Sequence, residues 1–215
     1  MGAFFIMTLN DALKSCGIIA ILRGVTADEV IQVADVLLEA GVKVVEVPLN
    51  SPDPFVSISK LAKAFAGRMV VGAGTVLSVQ DVNLLKESGG TISVSPDCNP
   101  EVIARAIAVG LDPLPGVFTP TEAFAAIRSG AHHLKLFPAE AASPTTVKAW
   151  RAVLPKAVQV HAVGGVTPSN MAEWLACGVS GFGIGSSLYK PGMSLSAVSE
   201  SANTLVAAWR RAKGL

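Results

Sequence analysis

The sequence has few cysteine residues, and they are not spaced to bind a metal or to form a redox pair. Cys16, Cys98 and Cys177 lie far apart and form no C-x-x-C motif. Three cysteines without a pattern are typical of reduced thiols rather than of a disulfide framework or a zinc site. We therefore expect a cytoplasmic protein without a metal cofactor.

An excess of charge of either sign is also absent. Seventeen basic and sixteen acidic residues leave a formal net charge of +1, and only 15% of the residues are charged. Proteins that bind nucleic acid or a membrane surface usually carry a marked basic excess. We therefore expect neither nucleic acid nor a membrane as a partner.

Long uninterrupted apolar runs are missing as well. The segment Met1–Met7 is apolar, but it has no basic flank, and Asp11 and Lys14 follow soon after it. This pattern predicts neither a signal peptide nor a membrane-spanning helix. Because no linker or low-complexity segment interrupts the chain, we expect residues 1–215 to form a single domain.

The sequence does contain a regular alternation of short apolar runs and amphipathic stretches. The eight runs are Ile18–Gly24, Val42–Leu49, Met69–Val76, Thr91–Asp97, Leu111–Val117, His133–Pro138, Val158–Val166 and Gly181–Tyr189. A helical pattern follows each run, and a capping residue precedes proline at Asn99-Pro100, Thr119-Pro120, Ser143-Pro144 and Thr167-Pro168. These features predict an α/β fold, a (β/α)8 TIM barrel, with an open doubly wound sheet as the alternative. We expect Met1–Gly17 to add an N-terminal helix that closes the bottom of the barrel.

Two charged residues stand inside expected strands. Lys135 lies in the run His133–Pro138, and Glu46 lies in the apolar segment Val44–Pro48. An unpaired buried lysine tends to lose its proton and become a carbonyl nucleophile, and a buried carboxylate becomes a general acid/base near neutral pH. A structural ion pair is the alternative for each residue. On strands two and six, Glu46 and Lys135 are expected to face each other across the mouth of the barrel.

Glycines follow the last two expected strands. Gly164-Gly165 ends strand seven, Gly185-Ser186 ends strand eight, and Thr167-Pro168-Ser169 is expected to open a helix. Glycine allows backbone N–H groups to approach an anion closely, and barrels often bind phosphate after strands seven and eight. The sequence therefore indicates a phosphate site, although tight turns also explain the glycines.

Other polar residues give weaker signals. Arg23, at the end of strand one, fits either a carboxylate-binding group or a surface arginine. The Gly72–Thr75 segment lacks the third glycine of a dinucleotide fingerprint, since position 77 is Leu, so no nicotinamide site is expected. The spacing of the three histidines, His132, His133 and His161, does not suggest a metal site, and hydrogen-bonded structural histidines are expected.

Taken together, the motifs resemble one enzyme family over about Ile18 to Tyr189. They are Ile19–Gly24, Glu46, Gly72–Val76, Pro115–Pro120, Lys135–Glu140, Gly164-Gly165 and Gly185-Ser186. The set is similar to the class I 2-keto-3-deoxy-6-phosphogluconate/galactonate aldolases. The resemblance implies a barrel, typically a homotrimer, that needs no cofactor and cleaves a phosphorylated 2-keto-3-deoxy sugar acid into pyruvate and glyceraldehyde 3-phosphate.

The resemblance also implies roles for individual residues. Lys135 matches the Schiff-base lysine and Glu46 the acid/base, while Arg23 and Thr75 match groups around the pyruvate carboxylate. The other expected substrate-binding positions are Gly116, Val163, Gly164, Gly165, Gly185 and Ser186. Among them, the glycines after strands seven and eight and Ser186 match the phosphate cradle.

Two departures from the gluconate branch of the family concern the substrate. Asn50 stands where that branch usually has arginine, and Val163 stands where it has threonine before the Gly-Gly pair. Both changes resemble the 6-phosphogalactonate branch, whose substrate differs in configuration at C4. The alternatives are the same reaction on the C4 epimer, an epimerase or isomerase barrel without a covalent step, and a non-catalytic phosphosugar-binding barrel.

Overall fold

The computed structural model describes residues 7–215 and contains nine β-strands in that range. They are β1 (Ile18–Ile21), β2 (Val44–Pro48), β3 (Val70–Gly74), β4 (Ile92–Val94), β5 (Asp112–Leu114), β6 (Gly116–Val117), β7 (His133–Leu136), β8 (Gln159–Val163) and β9 (Gly181–Ile184). All the strand pairs are parallel, in the order β5-β4-β3-β2-β1-β9-β8-β7-β6.

Helices alternate with these strands and cover the outside of the sheet. They are α1 (Leu9–Ser15), α2 (Val30–Ala40), α3 (Pro54–Ala64), α4 (Val79–Glu87), α5 (Pro100–Ala108), α6 (Pro120–Arg128), α7 (Pro144–Arg151), α8 (Met171–Ala176) and α9 (Leu195–Lys213), with a short 3-10 helix at Ala139–Ala141. None of these helices is both long and apolar enough to cross a membrane.

The predicted TIM barrel is confirmed, with one difference in the fifth strand. The expected run Leu111–Val117 is divided into β5 and β6 by Pro115, which has no N–H to donate to a strand ladder. The Pro115 carbonyl still accepts a hydrogen bond from the Lys135 amide at 2.9 Å. β5 and β6, the first and last strands in this order, are therefore joined through Pro115, and this junction closes the barrel.

Three of the four predicted capping residues stand at helix starts, and the fourth prediction is wrong. The Asn99 side chain accepts from the Glu101 amide at 3.0 Å, Thr119 pairs with Glu122 in a capping box, and Ser143 precedes α7. The helix expected at Pro168 begins only at Met171. The Asn170 side chain accepts from the Thr167 amide at 2.9 Å, and the intervening residues form a turn instead of a helical start.

The expected N-terminal helix is present as α1, and Met1–Ile6 lie outside the described residues. Leu9, Ala12 and Leu13 of α1 pack against interior residues near the starts of several strands, including Ile19 and Val44. A larger apolar cluster lies between the strands and the outer helices. The N-terminal end of the barrel is therefore filled, and the C-terminal end is open for a site.

Candidate active site

A cavity of about 430 Å³ opens at the C-terminal end of the barrel. Its lining comes from seven strands and the segments that follow them: Ile21, Arg23, Glu46, Thr75, Pro96, Lys135, Phe137, Glu140, Val163–Thr167 and Ile184–Ser187. Every site residue predicted from the sequence except Gly116 lies in this lining. Gly116 is buried in β6, where a Cβ atom would collide with the carbonyl group of Pro96.

Lys135 is the cation at the base of the cavity. It lies in the buried strand β7, its side chain is only 8% exposed, and Nζ lies 4.6 Å from the centroid of the Phe137 ring. Burial lowers the pKa of Lys135, the carboxylate of Glu46 opposes this effect, and the charge of Arg23 adds to it. The neutral, nucleophilic amine is therefore present at lower pH than for an exposed lysine.

Glu46 contributes a carboxylate from β2. It is 2% exposed, and its Oε2 atom has no hydrogen-bond partner among the described residues. Burial raises the pKa of Glu46 to about 7, against the lowering effects of Lys135 and Arg23. Gly74 makes room for this group, because a Cβ atom at Gly74 would collide with the carboxylate. Glu46 is thus able to gain and lose a proton near neutral pH.

Neither Glu46 nor Lys135 takes part in an ion pair. Within residues 7–215, the single ion pair joins Lys60 to Asp28 on the surface, at 3.7 Å. The alternative reading of the two buried charges as structural salt bridges therefore does not apply. They line the same cavity without forming a salt bridge with each other.

Thr75 enters the cavity from an unusual backbone conformation. It directly follows β3 and has a φ angle of 62°, in the left-handed region. A β-branched residue rarely adopts this region, and the strain is worth about 1–3 kcal/mol. The surrounding structure must hold Thr75 in this conformation, as is common for residues at functional sites.

The glycine-rich strand ends provide backbone donors. Gly164 and Gly165 have φ angles of 107° and 66°, and the segment after β9 forms a turn in which the Leu188 amide donates to the Gly185 carbonyl at 2.8 Å. Among the described residues, the backbone amides of Gly164, Gly165, Ser186 and Ser187 donate to no protein acceptor. These N–H groups can bind an anion. Because α8 begins only at Met171, the helix start expected directly after Thr167 is not part of this arrangement.

Glu140 and Phe137 also line the cavity. Both belong to the motif Lys135–Glu140, but neither is predicted from the sequence as a site residue. Glu140 belongs to the 3-10 helix after β7, and its carboxylate occupies the space that a Cβ atom at Gly164 would take. An acidic residue in an exposed loop is ordinary, so its position beside the glycine-rich strand ends becomes visible only in three dimensions.

Arg23 reaches the rim of the cavity from the loop after β1. Its Nη1 atom donates to Oδ1 of Asn50 at 2.8 Å, and the side chain is exposed to solvent. Among residues 7–215 no carboxylate pairs with it. The guanidinium charge is therefore available at the opening of the cavity.

The histidines form a buried pair below the cavity. His133 Nδ1 and His161 Nε2 lie 3.0 Å apart, while His132 is exposed. Burial lowers the pKa of His133 to about 4 and that of His161 to about 3, so both are neutral at pH 7. The expectation of hydrogen-bonded structural histidines is confirmed for this pair. The described residues contain no cluster of three His, Cys, Asp or Glu side chains suited to a metal ion.

Comparisons with known proteins give one consistent result. The family model described as "Aldolase: KDPG and KHG aldolase" matches residues 9–199. A Rhizobium meliloti protein named probable 2-dehydro-3-deoxy-6-phosphogalactonate aldolase is 47% identical over 89% of this chain and 91% of its own length. An Escherichia coli protein named 2-dehydro-3-deoxy-6-phosphogalactonate aldolase is 44% identical over 91% and 95% of the two chains.

A solved structure agrees with these sequence relatives. The structure described as native KDPGal is 43% identical and superposes with a TM-score of 0.90, covering 92% of this chain and 96% of its own. At 43% identity over nearly the whole of both chains, the two proteins share sequence as well as the barrel architecture. The chain therefore belongs to the KDPG and KHG aldolase family and is an aldolase.

Proposed function

We propose that the chain cleaves 2-dehydro-3-deoxy-6-phosphogalactonate into pyruvate and D-glyceraldehyde 3-phosphate through a Schiff base on Lys135. The supporting observation is the shared cavity of Lys135 and Glu46, where burial lowers the pKa of the amine and raises that of the carboxyl group. An amine and a proton shuttle placed together are what imine chemistry requires.

The first stage joins the substrate to the enzyme. The neutral amine of Lys135 attacks the C2 ketone and forms a carbinolamine, which loses water to give a protonated imine. Each of these steps moves a proton, and Glu46 accepts or donates it directly or through a water molecule. The positive imine nitrogen then serves as the electron sink, so the reaction needs no cofactor.

The second stage breaks the carbon–carbon bond. Glu46 removes the proton from the C4 hydroxyl group, the C3–C4 bond breaks, and its electron pair moves into the enamine on Lys135. Glyceraldehyde 3-phosphate leaves as the aldehyde. Protonation of the enamine at C3 regenerates an imine, and hydrolysis by water releases pyruvate and the free amine.

Groups around the reacting carbons hold the two ends of the substrate. Arg23 and Thr75 bind the carboxylate next to C2, and the amides around Gly164, Gly165, Gly185 and Ser186 bind the phosphate. The free donors and the positive φ angles of the two adjacent glycines support the phosphate assignment. The phosphate lies far from the breaking bond, so its binding energy serves to position C3 and C4.

The galactonate configuration at C4 is proposed on two grounds. The two relatives named above carry this substrate in their names. The side chain of Val163 faces the cavity at the end of β8, where a threonine hydroxyl would offer a hydrogen bond to the C4 epimer. Loss of a buried hydrogen bond costs about 1–3 kcal/mol, enough to distinguish the epimers.

A homotrimer in the cytoplasm completes the proposal. The family resemblance is the basis for the trimer. The three free cysteines are compatible with a reducing compartment. Light scattering after size-exclusion chromatography tests the trimer, and a monomer would contradict it.

The substrate proposal is tested by comparing three compounds in a pyruvate-release assay coupled to lactate dehydrogenase. They are the 6-phosphogalactonate substrate, its C4 epimer and the unphosphorylated galactonate analogue. We expect kcat/KM to be highest for the first and lowest for the last. Equal values for the two epimers would contradict the stereochemical assignment, and equal values with and without phosphate would contradict the phosphate site.

A further inference from the structure

Arg23 and Asn50 form a polar pair at the rim of the cavity. Arg23 follows β1, Asn50 follows β2, and the guanidinium Nη1 donates to the amide Oδ1 at 2.8 Å. The acceptor must be the amide oxygen, because both the amide nitrogen and the guanidinium are donors. Asn50, which orients the exposed guanidinium of Arg23, is therefore a neutral partner.

The segment that carries Asn50 is fixed by its own hydrogen bonds. The Leu49 amide donates to the Gly74 carbonyl at 2.9 Å, and the Ser51 amide donates to the Pro48 carbonyl at 2.9 Å. Buried Ser51 also accepts from the Gly24 amide at 2.9 Å. Two bonds thus join the loop after β1 to the loop after β2, and the Asn50 amide is a fixed support for Arg23.

This arrangement suits a cation that has to receive an anion. A guanidinium has five N–H donors, and the bond to Asn50 uses one of them, which leaves donors for a bidentate pair with a carboxylate. A neutral acceptor limits the rotation of the side chain without cancelling its charge. An aspartate at position 50 would also accept the bond, but it would neutralise Arg23 and repel a negatively charged substrate.

We propose that Asn50 is a positioning residue that holds the Arg23 guanidinium ready for the carboxylate of the keto acid, and that its neutrality is required. This inference rests on the proposed function, in which Arg23 binds the carboxylate beside C2. The required neutrality explains why position 50 is asparagine, although aspartate has the same shape and would form a stronger hydrogen bond with arginine.

The test uses Asn50→Ala and Asn50→Asp, with a matched pair of control variants. On the outer surface, Arg105 Nε donates to Asn83 Oδ1 at 2.8 Å, the same interaction outside the cavity. Asn83→Ala and Asn83→Asp therefore control for the general effect of changing an arginine–asparagine pair. Thermal unfolding of all variants establishes that they are folded before binding is compared.

The readout is reductive trapping of pyruvate on Lys135 by borohydride, measured against pyruvate concentration. We expect Asn50→Ala to raise the half-saturating pyruvate concentration about tenfold, as loss of a hydrogen bond to a charged group predicts. Asn50→Asp should raise it at least as much, with little change in the trapping rate at saturation. Acetone replaces the carboxylate by a methyl group, so trapping with acetone should respond to neither variant, and the Asn83 variants should match the wild type.

Three results would overturn the inference while leaving the proposed function intact, provided that wild-type pyruvate trapping on Lys135 is normal. One is wild-type half-saturation in both Asn50 variants. Another is impaired binding in Asn50→Ala but not in Asn50→Asp, since hydrogen bonding alone would then suffice. The third is an equal loss with acetone, which would indicate general distortion. Absence of a wild-type adduct on Lys135 would instead contradict the proposed function itself.

Discussion

Glu46 and Lys135 face one cavity from β2 and β7, strands that are separated in the sheet by β1, β9 and β8, and they form no ion pair. Each charge is buried at a cost that a direct salt bridge would reduce. Burial shifts the two pKa values toward each other, upward for Glu46 and downward for Lys135. Burial without a salt bridge thus favours the neutral amine of Lys135 and the protonated carboxyl group of Glu46 more than exposure to water would.

Glu46→Gln should lower the rate of cleavage strongly while imine formation with pyruvate continues. Glutamine keeps the shape of the side chain but cannot take the C4 hydroxyl proton, so a loss of about 10²–10⁴-fold in kcat is expected. Because the pKa of Glu46 is about 7, wild-type activity should rise with pH through that value, and the rise should be absent in the variant. A pH profile of both proteins checks this, and an unchanged profile would rule out Glu46 as the base.

The same variant should change the pH dependence of stability. The pKa of Glu46 is about 7 in the folded protein and near 4.5 without burial, so the folded state holds an extra proton between these values. Raising the pH from 4.5 to 7 therefore lowers the wild-type free energy of unfolding through this group. Glu46→Gln removes this loss. Above pH 7, the free energy of unfolding of the variant should therefore gain on that of the wild type by an amount on the order of 3 kcal/mol. Urea unfolding at pH 5 and pH 8 measures the difference.

Replacing Thr75 by glycine should raise the stability of the protein and weaken its binding of substrate. Thr75→Gly relieves the strain of the 62° φ angle and should raise the free energy of unfolding by about 1 kcal/mol, after the entropic cost of glycine is subtracted. It also removes the hydroxyl group from the cavity, so KM should rise. Thr75→Ser keeps the hydroxyl group and should retain most of the affinity. Equal activity in the glycine and serine variants would show that this hydroxyl does not contact the substrate.

Val163→Thr should shift preference toward the gluconate epimer. The new hydroxyl group lies at the cavity surface and can hydrogen-bond the C4 hydroxyl of that epimer, which should change the ratio of kcat/KM values about tenfold. Val163→Ala is the matched control, because it changes volume without adding a donor. A similar shift in the alanine variant, or no shift in the threonine variant, would remove the hydroxyl group from the explanation of stereochemistry.

Glu140→Gln should strengthen binding of the phosphorylated substrate. The carboxylate lies against Gly164, at the edge of the proposed phosphate site. Two like charges roughly 4 Å apart repel each other by about 1 kcal/mol in bulk water, and by more where water is partly excluded. KM should fall severalfold at low salt, with a smaller change at high salt. Glu200→Gln, on α9 outside the cavity, should leave KM unchanged. A rise in KM for Glu140→Gln would mean that the carboxylate binds the substrate instead.

The two central residues and the barrel were predictable because each depends on a strong local signal. A lysine or glutamate inside a buried strand is rare and costly, so Lys135 and Glu46 stand out from the sequence. The parallel barrel follows from the eight apolar runs, each followed by a helix. For these features the local pattern and the three-dimensional structure agree.

Other features depend on contacts that a linear pattern does not contain. The position of Glu140 against Gly164 comes from packing between the 3-10 helix and β8, and the positive φ angle of Thr75 is imposed by its surroundings against its own preference. The start of α8 was misplaced because Pro168 suits a turn as well as a first helical position. Pro115 divided a strand that its apolar neighbours predicted to be continuous.

Mass spectrometry of the protein after borohydride reduction in the presence of pyruvate is the decisive test of a Schiff base on Lys135. We expect one pyruvate-derived adduct per chain, located on Lys135, and no adduct in Lys135→Ala with the fold retained. Lys148→Ala, which changes an exposed lysine on α7, should be labelled like the wild type. An adduct on another lysine, or no adduct at all in the wild type, would contradict covalent catalysis by Lys135.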